Sequence, residues 1–282
     1  MPQDPHPRTA SRRHYLMCPP TYFTVSYSIN PWMHPDRPTD TDVAVAQWER
    51  LRDLFLDLGH RVDLIEPIPG LPDMVYAANG ATVLDDKVVV ANFRHAERAG
   101  ESAAYKEWFQ NHGDYDVVPA AHINEGEGDY LVSGTRILAG TGFRSDPAAH
   151  QEAEDVLGAP VVGLTLVDPR YYHLDTALSI LTEDLIAYLP EAFAPASREV
   201  LAQLYPDAVI ADPDDAAVFG LNAVSDGRHV VLPKAADRLA AKLAERGFEP
   251  VGVDLSELLK GGGSAKCCTL ELRHADPTGA AR

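Results

Sequence analysis

Cysteine is scarce in this sequence of 282 residues, which contains only Cys18, Cys267 and Cys268. An odd number of cysteines, two of them adjacent, provides neither a disulfide framework nor the paired spacing of a zinc site. Disulfide-poor chains of this kind are typical of reducing compartments. We therefore expect a cytoplasmic protein.

Long hydrophobic runs and basic residues are also few. No apolar segment approaches the ~20 residues of a membrane span, and residues 1–13 lack the hydrophobic region of a secretory signal. The 42 acidic side chains outnumber 24 basic ones, which gives a formal net charge of −18. Nucleic acids and anionic membranes require basic surface, so we expect neither as a partner. The charge mildly favours a cationic small molecule, although a well-solvated acidic surface is the simpler explanation.

Several signature motifs are missing. The sequence has no Gly-x-Gly-x-x-Gly turn after a first strand, no phosphate-binding loop and no Gly-x-Ser-x-Gly elbow. It also has no Gly/Ser-rich linker that would divide it into domains. We predict one domain over residues 14–273, preceded by a disordered arm (1–13) and followed by a flexible tail (274–282).

Helical and strand-like patterns alternate along the chain. Apolar residues recur at spacings of three and four between Val45 and Leu58, which indicates an amphipathic helix that Gly59 ends. Helices are predicted for residues 41–58, 98–112, 147–157, 197–204 and 234–246. Strands are predicted for residues 14–18, 61–65, 74–84, 87–91, 116–119, 130–133, 136–139, 161–164, 173–181, 185–189, 208–210, 223–225, 229–231, 250–254 and 267–272.

Polar turns between neighbouring strands indicate hairpins beside the helices, for example at Asp85-Asp86 and at Ser225-Asp226-Gly227. Roughly five strand–strand–helix–strand units fit the length of the chain, as a repeat of pattern rather than of sequence. A doubly wound parallel sheet is the competing architecture. The hairpins and the missing glycine-rich turn disfavour it.

A glycine-rich turn at residues 261–263 precedes the last predicted strand, and Cys267 lies near the start of that strand. Glycines permit positive φ angles and the close approach of another molecule, so a thiol here could meet a small substrate. A buried structural cysteine is the alternative. On a strand, Cys268 would share the apolar face and Cys267 the polar face. We therefore expect the Cys267 side chain, rather than that of Cys268, to face the substrate.

A histidine and a carboxylate lie two residues apart at His173 and Asp175. If this segment is a strand, both side chains point to one face, because side chains alternate along a strand. Such a pair can serve as a proton shuttle and a cation anchor. A satisfied pair on an edge strand is an equally good interpretation of the pattern.

Other polar residues interrupt apolar segments. Asp73 precedes a predicted strand, and Asn79 lies inside it. Because a hairpin turn already follows at residues 85–86, we favour an Asn79 amide that faces a pocket, with a bulge as the alternative. Carboxylates and glycines from Glu125 to Asp129 open another strand, for which a solvated acidic loop is the alternative.

In this order, these residues resemble the guanidino-group-modifying superfamily of arginine deiminases, dimethylarginine dimethylaminohydrolases, amidinotransferases and arginine dihydrolases. The matching series is Pro72-Asp73, Asn79, Glu125-Gly126-Glu127-Gly128-Asp129, His173-Leu174-Asp175, Asn222 and Cys267 after its glycine-rich turn. It extends over nearly the whole chain, from residue 14 to residue 272. Each motif is weak alone, whereas the ordered set is fairly specific.

The resemblance implies a five-bladed α/β propeller with pseudo-fivefold symmetry and the substrate on its axis. It implies that Cys267 is the nucleophile, His173 the general acid/base, and Asp129 the group that orients His173. Substrate contacts are implied for Asp73, Asn79, Arg94, Asp175, Asn30, Asn222 and Glu125. Asp175 would bind guanidinium nitrogens, and Arg94 matches a position that often holds a substrate carboxylate.

One departure from the superfamily pattern bears on the substrate. Deiminases and dimethylargininases usually have an aspartate where this chain has Asn79. Together with the segment around Asn30, this similarity favours the arginine dihydrolases, which convert arginine to ornithine. Citrulline is the product if the reaction stops earlier. A dimethylargininase, an amidinotransferase and a non-catalytic arginine-binding protein stay as alternatives, and homo-oligomerisation stays open.

The expected chemistry is coherent in physical terms. A guanidinium carbon is a poor electrophile, and a thiolate nucleophile divides the displacement into two easier steps. Cys267 would attack the carbon and His173 would protonate the departing ammonia. Asp175 and Asp73 would hold the cationic thiouronium until water attacks it. This chemistry needs no metal or organic cofactor.

Overall fold

A computed structural model describes residues 8–275 of the chain. Its strands are β1 (His14–Met17), β2 (Arg61–Leu64), β3 (Ala81–Leu84), β4 (Lys87–Val90), β5 (Asp116–Pro119), β6 (Tyr130–Ser133), β7 (Arg136–Thr141), β8 (Val161–Thr165), β9 (Leu178–Ile180), β10 (Ile186–Tyr188), β11 (Val209–Ile210), β12 (Val224–Ser225), β13 (His229–Pro233), β14 (Glu249–Val253) and β15 (Leu270–Glu271). Its α-helices are α1 (Thr41–Asp57), α2 (Glu101–Asn111), α3 (Ala148–Leu157), α4 (Leu174–Ala177), α5 (Pro195–Leu204), α6 (Pro213–Ala216), α7 (Asp237–Glu245) and α8 (Ser256–Leu259). Short 3₁₀ turns cover Pro72–Val75, Ala77–Gly80, Gly126–Gly128 and Pro190–Ala192.

The strands form five three-stranded sheets of one topology. In each sheet the central strand pairs antiparallel with one neighbour and parallel with the other, as β4 does with β3 and β5. The first sheet is completed by the end of the chain, because β15 pairs antiparallel with β1 and places Leu270 opposite Leu16. The five sheets fit the five predicted units. They do not form the single doubly wound sheet that was the competing architecture.

Local sequence explains the hairpins and helices that frame these sheets. Asp85 and Asp86 join β3 to β4 with φ angles of 51° and 62°. Positive φ at both turn positions matches the twist of the flanking strands. Helix α1 begins at Asp40, whose side chain accepts a hydrogen bond from the Val43 amide. Its apolar face is buried, with Trp48 in the core.

Three predicted strands are shorter than their sequence patterns suggested. The structure forms 3₁₀ turns over residues 72–80, helix α4 after His173, and a turn at Cys267 and Cys268. The prediction that His173 and Asp175 share one face of a strand is therefore wrong, and so is the strand argument that separated the two cysteines. In all three segments, polar side chains point into a shared interior instead of alternating along a sheet.

The polar residues of these segments share one position in the topology. We call β3, β6, β9, β12 and β15, which pair antiparallel with the central strands, the first strands of their sheets. A polar residue or cysteine lies a few residues before each of them, namely Asn79, Asp129, Asp175, Asn222 and Cys267. Those first strands contact one another: β15 lies against β3, and β9 lies against both β6 and β12. The fold therefore gathers side chains that are far apart in sequence at one end of these strands.

The chain segments before and after the predicted domain are described in part. Arg8 stacks on the Phe248 ring at 4.1 Å, and the Ser11 amide donates to the Asp226 carbonyl at 2.7 Å. Residues 8–13 of the predicted arm thus contact the body, whereas residues 1–7 and 276–282 lie outside the described residues. Between residues 8 and 275, no helix combines the length and apolar character needed to cross a membrane.

Candidate active site

Cys267 is buried, and Asn222 holds it in place. The Asn222 side-chain oxygen accepts hydrogen bonds from the backbone amides of Cys267 and Ser264, both at 3.1 Å. The Asn222 Nδ2 group lies 3.1 Å from the Cys267 Sγ atom and also donates to the Asp175 carbonyl. One amide side chain therefore fixes the turn and its thiol. The sequence indicated Asn222 only through its place in the family series.

The thiol and a carboxyl group share this buried space. Cys267 Sγ donates to Asp175 Oδ2 at 3.3 Å. Burial raises the pKa of Asp175 to about 7, although Lys266 opposes this shift. Burial, reinforced by Asp175, raises the pKa of the Cys267 thiol well above its usual value. A cation placed between them would lower both pKa values, because it stabilises both anions.

His173 is buried next to a carboxylate. Its Nε2 atom lies 2.8 Å from Glu125 Oε2, which also accepts from Arg144 Nη1 at 2.7 Å. Burial opposes ionisation of Glu125, but Arg144 and His173 outweigh it and lower the pKa of this carboxyl. An ionised Glu125 can only accept, so the His173 proton resides on Nε2 and leaves Nδ1 as the basic nitrogen.

The predicted partnership between Asp129 and His173 needs correction, because the carboxylate that accepts the hydrogen bond from the imidazole is Glu125. Asp129 accepts from the Leu174 amide at 3.1 Å and from Ser145 Oγ at 2.6 Å. Asp129 therefore anchors the backbone beside His173 rather than its ring. Both carboxylates lie in one short loop, and the sequence pattern does not specify which of them turns toward the imidazole.

A second buried network surrounds Asp73 and Asn79. Asp73 Oδ2 accepts from the Tyr27 hydroxyl at 2.9 Å. Arg98 Nη1 donates to Asn79 Oδ1 at 2.7 Å, and Arg98 forms a two-contact ion pair with Glu101 at 2.8 Å. Arg98 thereby sets the orientation of the Asn79 amide. Sequence analysis placed Arg98 only at the start of a helix and missed this role.

Two residues predicted to contact the substrate, Arg94 and Asn30, bind other groups of the protein in this structure. Arg94 is partly exposed and forms an ion pair with Asp146. The Asn30 side chain accepts from the amides of Trp32 and Met33 and donates to the Gly261 carbonyl at 3.1 Å. Asn30 therefore ties its loop to the glycine-rich turn and uses both ends of its amide on backbone.

Arg144 is the buried cation that sequence analysis overlooked near Arg94. Besides Glu125, it donates to the Ile29 carbonyl at 2.9 Å, and its guanidinium lies 4.7 Å from the centre of the Tyr172 ring. Arg144 thereby links Glu125, the hydrogen-bond partner of His173, to the loop that contains Asn30. A basic residue between a predicted strand and a predicted helix carries no pattern by which its burial could be recognised.

Three buried polar atoms of this site have no hydrogen-bond partner among residues 8–275: Asp73 Oδ1, Asp175 Oδ1 and His173 Nδ1. Buried polar atoms are usually paired, so unpaired ones in a cluster indicate a place for a ligand. Two carboxylate oxygens and a basic nitrogen suit a cationic substrate with several N–H donors. Within the same residues, no three His, Cys, Asp or Glu side chains are grouped as metal ligands.

Comparison with characterised proteins agrees with this chemistry. A family profile described as eukaryotic N,N dimethylarginine dimethylhydrolase matches residues 28–274. A Mycobacterium tuberculosis protein named N(G),N(G)-dimethylarginine dimethylaminohydrolase is 60% identical over 95% of this chain and 88% of its own length. The bifunctional arginine dihydrolase/ornithine cyclodeaminase AgrE of Nostoc sp. is 39% identical over 93% of this chain. The match spans only 38% of AgrE.

Solved structures give the same result. The substrate-bound N-terminal domain of the cyanobacterial arginine dihydrolase ArgZ superposes with a TM-score of 0.88 at 37% identity, covering 93% of this chain and 98% of that domain. A dimethylarginine dimethylaminohydrolase variant in adduct with S-methyl-L-thiocitrulline gives a TM-score of 0.80 at 17% identity, over 93% of this chain and all of that one, which shows the fold alone. The chain therefore belongs to the dimethylarginine dimethylaminohydrolase family of the guanidino-group-modifying superfamily and is a hydrolase of C–N bonds in guanidino compounds.

Proposed function

We propose that the protein hydrolyses the guanidinium group of arginine at Cys267, giving ornithine, or citrulline if the reaction stops after one hydrolysis, and ammonia. One observation supports this above all. The buried Cys267 thiol donates to Asp175, whose second oxygen has no partner among residues 8–275. A nucleophile next to a carboxylate oxygen that can hold a cation is well placed to attack a bound guanidinium. The 39% identity with the arginine dihydrolase part of AgrE supports the same substrate.

Substrate binding would begin with the unengaged oxygens of Asp73 and Asp175. Both carboxylates are buried, so a guanidinium between them forms charge-assisted hydrogen bonds in a medium of low dielectric. For the substrate's α-carboxylate we propose Arg94, which would exchange Asp146 for the ligand. The neutral amides of Asn79 and Asn222 would border the guanidinium, and Glu125 would act through His173.

The first covalent step would follow from the charge of the bound substrate. The guanidinium lowers the pKa of Cys267, and the thiol proton passes to His173 Nδ1. The thiolate then attacks the guanidinium carbon, and His173 returns the proton to the departing ammonia. The resulting thiouronium carries the positive charge, which Asp73 and Asp175 continue to hold. Asp129 would keep His173 in place through the Leu174 backbone.

Hydrolysis of the thiouronium would use the same histidine. Water would give one proton to His173 Nδ1 while its oxygen bonds to the carbon. The C–S bond would then break, with the remaining hydroxyl proton returning the sulfur to the thiol and leaving citrulline, and His173 would release its proton to solvent. A second round at the ureido carbon gives ornithine, a second ammonia and carbon dioxide. We propose that Asn79, held by Arg98, permits the neutral ureido group to stay bound for this round.

We further propose that the five sheets form a five-bladed α/β propeller. Identical topology in every sheet, the contacts of β3 with β15 and of β9 with β6 and β12, and the completion of the first sheet by β15 all support a closed ring. The catalytic residues would then surround one end of the ring axis, because each precedes a first strand. Closure by the last strand would make the position of Cys267 depend on the complete domain.

Dimethylarginine is the second candidate substrate, with citrulline and dimethylamine as products. The 60% identity with the mycobacterial dimethylarginine dimethylaminohydrolase favours it. The neutral Asn79 argues against dimethylarginine as the substrate, because dimethylargininases usually have an aspartate at this position. The same Cys267 chemistry serves both substrates, so the products distinguish them.

Replacing Cys267 tests the covalent proposal. We expect Cys267→Ser to lose more than about a thousandfold in turnover of arginine, because a serine hydroxyl is a far weaker nucleophile at neutral pH. The measurement is a product assay for ammonia, dimethylamine, citrulline and ornithine with arginine and dimethylarginine as substrates. The matched control is Cys268→Ser, which should stay largely active. Undiminished turnover by Cys267→Ser would refute the mechanism, and saturable binding without any product would indicate an arginine-binding protein.

The residue at position 79 should decide the final product. In Asn79→Asp, the carboxylate would prefer a cationic thiouronium to a neutral ureido group, so we expect a larger share of citrulline relative to ornithine. The ratio is measured by chromatography of the amino acids after complete consumption of arginine. Asn79→Ser, a neutral variant, controls for loss of the amide. A ratio that Asn79→Asp leaves unchanged would remove Asn79 from the account.

The raised pKa of Asp175 predicts how stability depends on pH. Its folded pKa of about 7 exceeds the unfolded value near 4, so the neutral acid stabilises the fold at low pH and this contribution is lost as pH rises through 7. Asparagine cannot ionise. We expect Asp175→Asn to gain stability over the wild type by up to about 3 kcal/mol between pH 5 and pH 8.

Urea unfolding at pH 5 and pH 8 measures this difference. Asp168→Asn is the control, because the pKa of Asp168 is lowered and the carboxyl is ionised at both pH values in both states. Its difference from the wild type should therefore stay constant. An Asp175→Asn difference that is equally constant would contradict the buried, poorly ionised carboxyl.

A further inference from the structure

A cavity of about 730 Å³ lies at the other end of the first strands. Its lining includes Gly134 after β6, Glu183 beyond β9, Ser225 at the end of β12 and Arg273 after β15. The catalytic residues precede the same strands. The molecule therefore has two recesses at opposite ends of one set of strands, and none of the proposed catalytic side chains lines this second one.

The charge of this cavity is opposite to that of the protein as a whole. Five cationic side chains line it against two carboxylates, Glu183 and Glu271, although the chain carries a formal net charge of −18. The cations are Arg12, Arg13, Arg61, Lys266 and Arg273. His14 and His274 lie in the same wall. A basic recess in an acidic protein favours an anionic ligand.

Ion pairs among the described residues engage four of the five cations and leave Arg12 without one. Lys266 and Arg273 both contact Glu127, and Arg61 pairs with Asp63 at 2.9 Å. Arg13 and Arg273 also pair with Glu271. Arg12 is exposed and has no ion pair among residues 8–275. Arg13 Nε is buried and has no hydrogen-bond partner in that range.

The two cations at the cavity mouth are the ones that a ligand can reach. Arg61 keeps 61% of its side chain exposed despite its ion pair with Asp63. Arg12 is exposed as well. A ligand can therefore recruit both guanidinium groups without breaking the buried pairs that Glu127 forms with Lys266 and Arg273.

We propose that this cavity is a binding site for a small anion that carries phosphate groups. A planar guanidinium matches two phosphate oxygens at once, and several arginines around one recess are the arrangement that phosphate recognition uses. The volume is sufficient for pyrophosphate or for a nucleotide. The substrate site needs a cation, so the two recesses select ligands of opposite charge.

Isothermal titration calorimetry at constant ionic strength tests the site, with pyrophosphate and adenosine diphosphate as separate probes. The test variant is Arg12→Gln/Arg61→Gln, which removes the two accessible guanidinium groups. The control is Arg37→Gln/Arg238→Gln, whose two arginines are exposed and lie outside the cavity. Arg37 matches Arg12, and Arg238, which pairs with Asp214, matches Arg61, which pairs with Asp63. We expect wild type and control to bind alike and the test variant to bind about tenfold more weakly for each guanidinium lost.

Binding of either probe with this loss supports the site, and the preferred probe distinguishes an inorganic anion from a nucleotide. The proposal is overturned if neither probe binds the wild type, or if the test variant binds as tightly as the control. Neither arginine belongs to the catalytic group, so the test variant should keep the wild-type unfolding transition and turnover. Because the readout is binding, the result is independent of whether arginine is the substrate.

Discussion

The hydrogen bond between the Cys267 thiol and Asp175 is the interaction on which the proposed chemistry depends. Both groups are buried, so each is costly to ionise without a cation nearby. Burial raises the pKa of both groups, which favours the protonated thiol in the absence of a positive ligand. In the proposed mechanism a guanidinium substrate supplies that charge. The nucleophile would then be formed only when there is something for it to attack, which would protect a reactive thiolate from other electrophiles.

The fold serves this pair by bringing the ends of distant segments together. Asn222 precedes β12 and holds Cys267, which precedes β15. Glu125 and Asp129 precede β6 and fix His173 and its backbone. No segment contributes more than a few residues, so the site exists only when all five sheets are assembled. The pairing of β15 with β1 is the step that brings the thiol into this group.

Sequence patterns predicted the five longest helices, most strands, the five units and the ordered set of polar residues. The four-residue helices α4, α6 and α8 were not predicted. The patterns failed where backbone turns replaced strands, because alternation along a strand was used to orient His173 and to choose Cys267. The resemblance named Asp129 instead of Glu125 as the partner of His173, because both carboxylates lie in one short loop whose turn, with Gly126 at φ 53°, cannot be read from the sequence pattern. The role of Arg98 in orienting Asn79 was missed, because a single buried arginine produces no periodic pattern in the sequence.

The most direct test of this account is mass spectrometry of the wild-type protein, acid-quenched during turnover of arginine. The account predicts a mass increase equal to arginine minus ammonia on the peptide that contains Cys267. Mapping by fragmentation should place the addition on Cys267 and not on its neighbour Cys268. Turnover of arginine without any adduct, or with an adduct confined to Cys268, would contradict the claim that this buried thiol is the nucleophile.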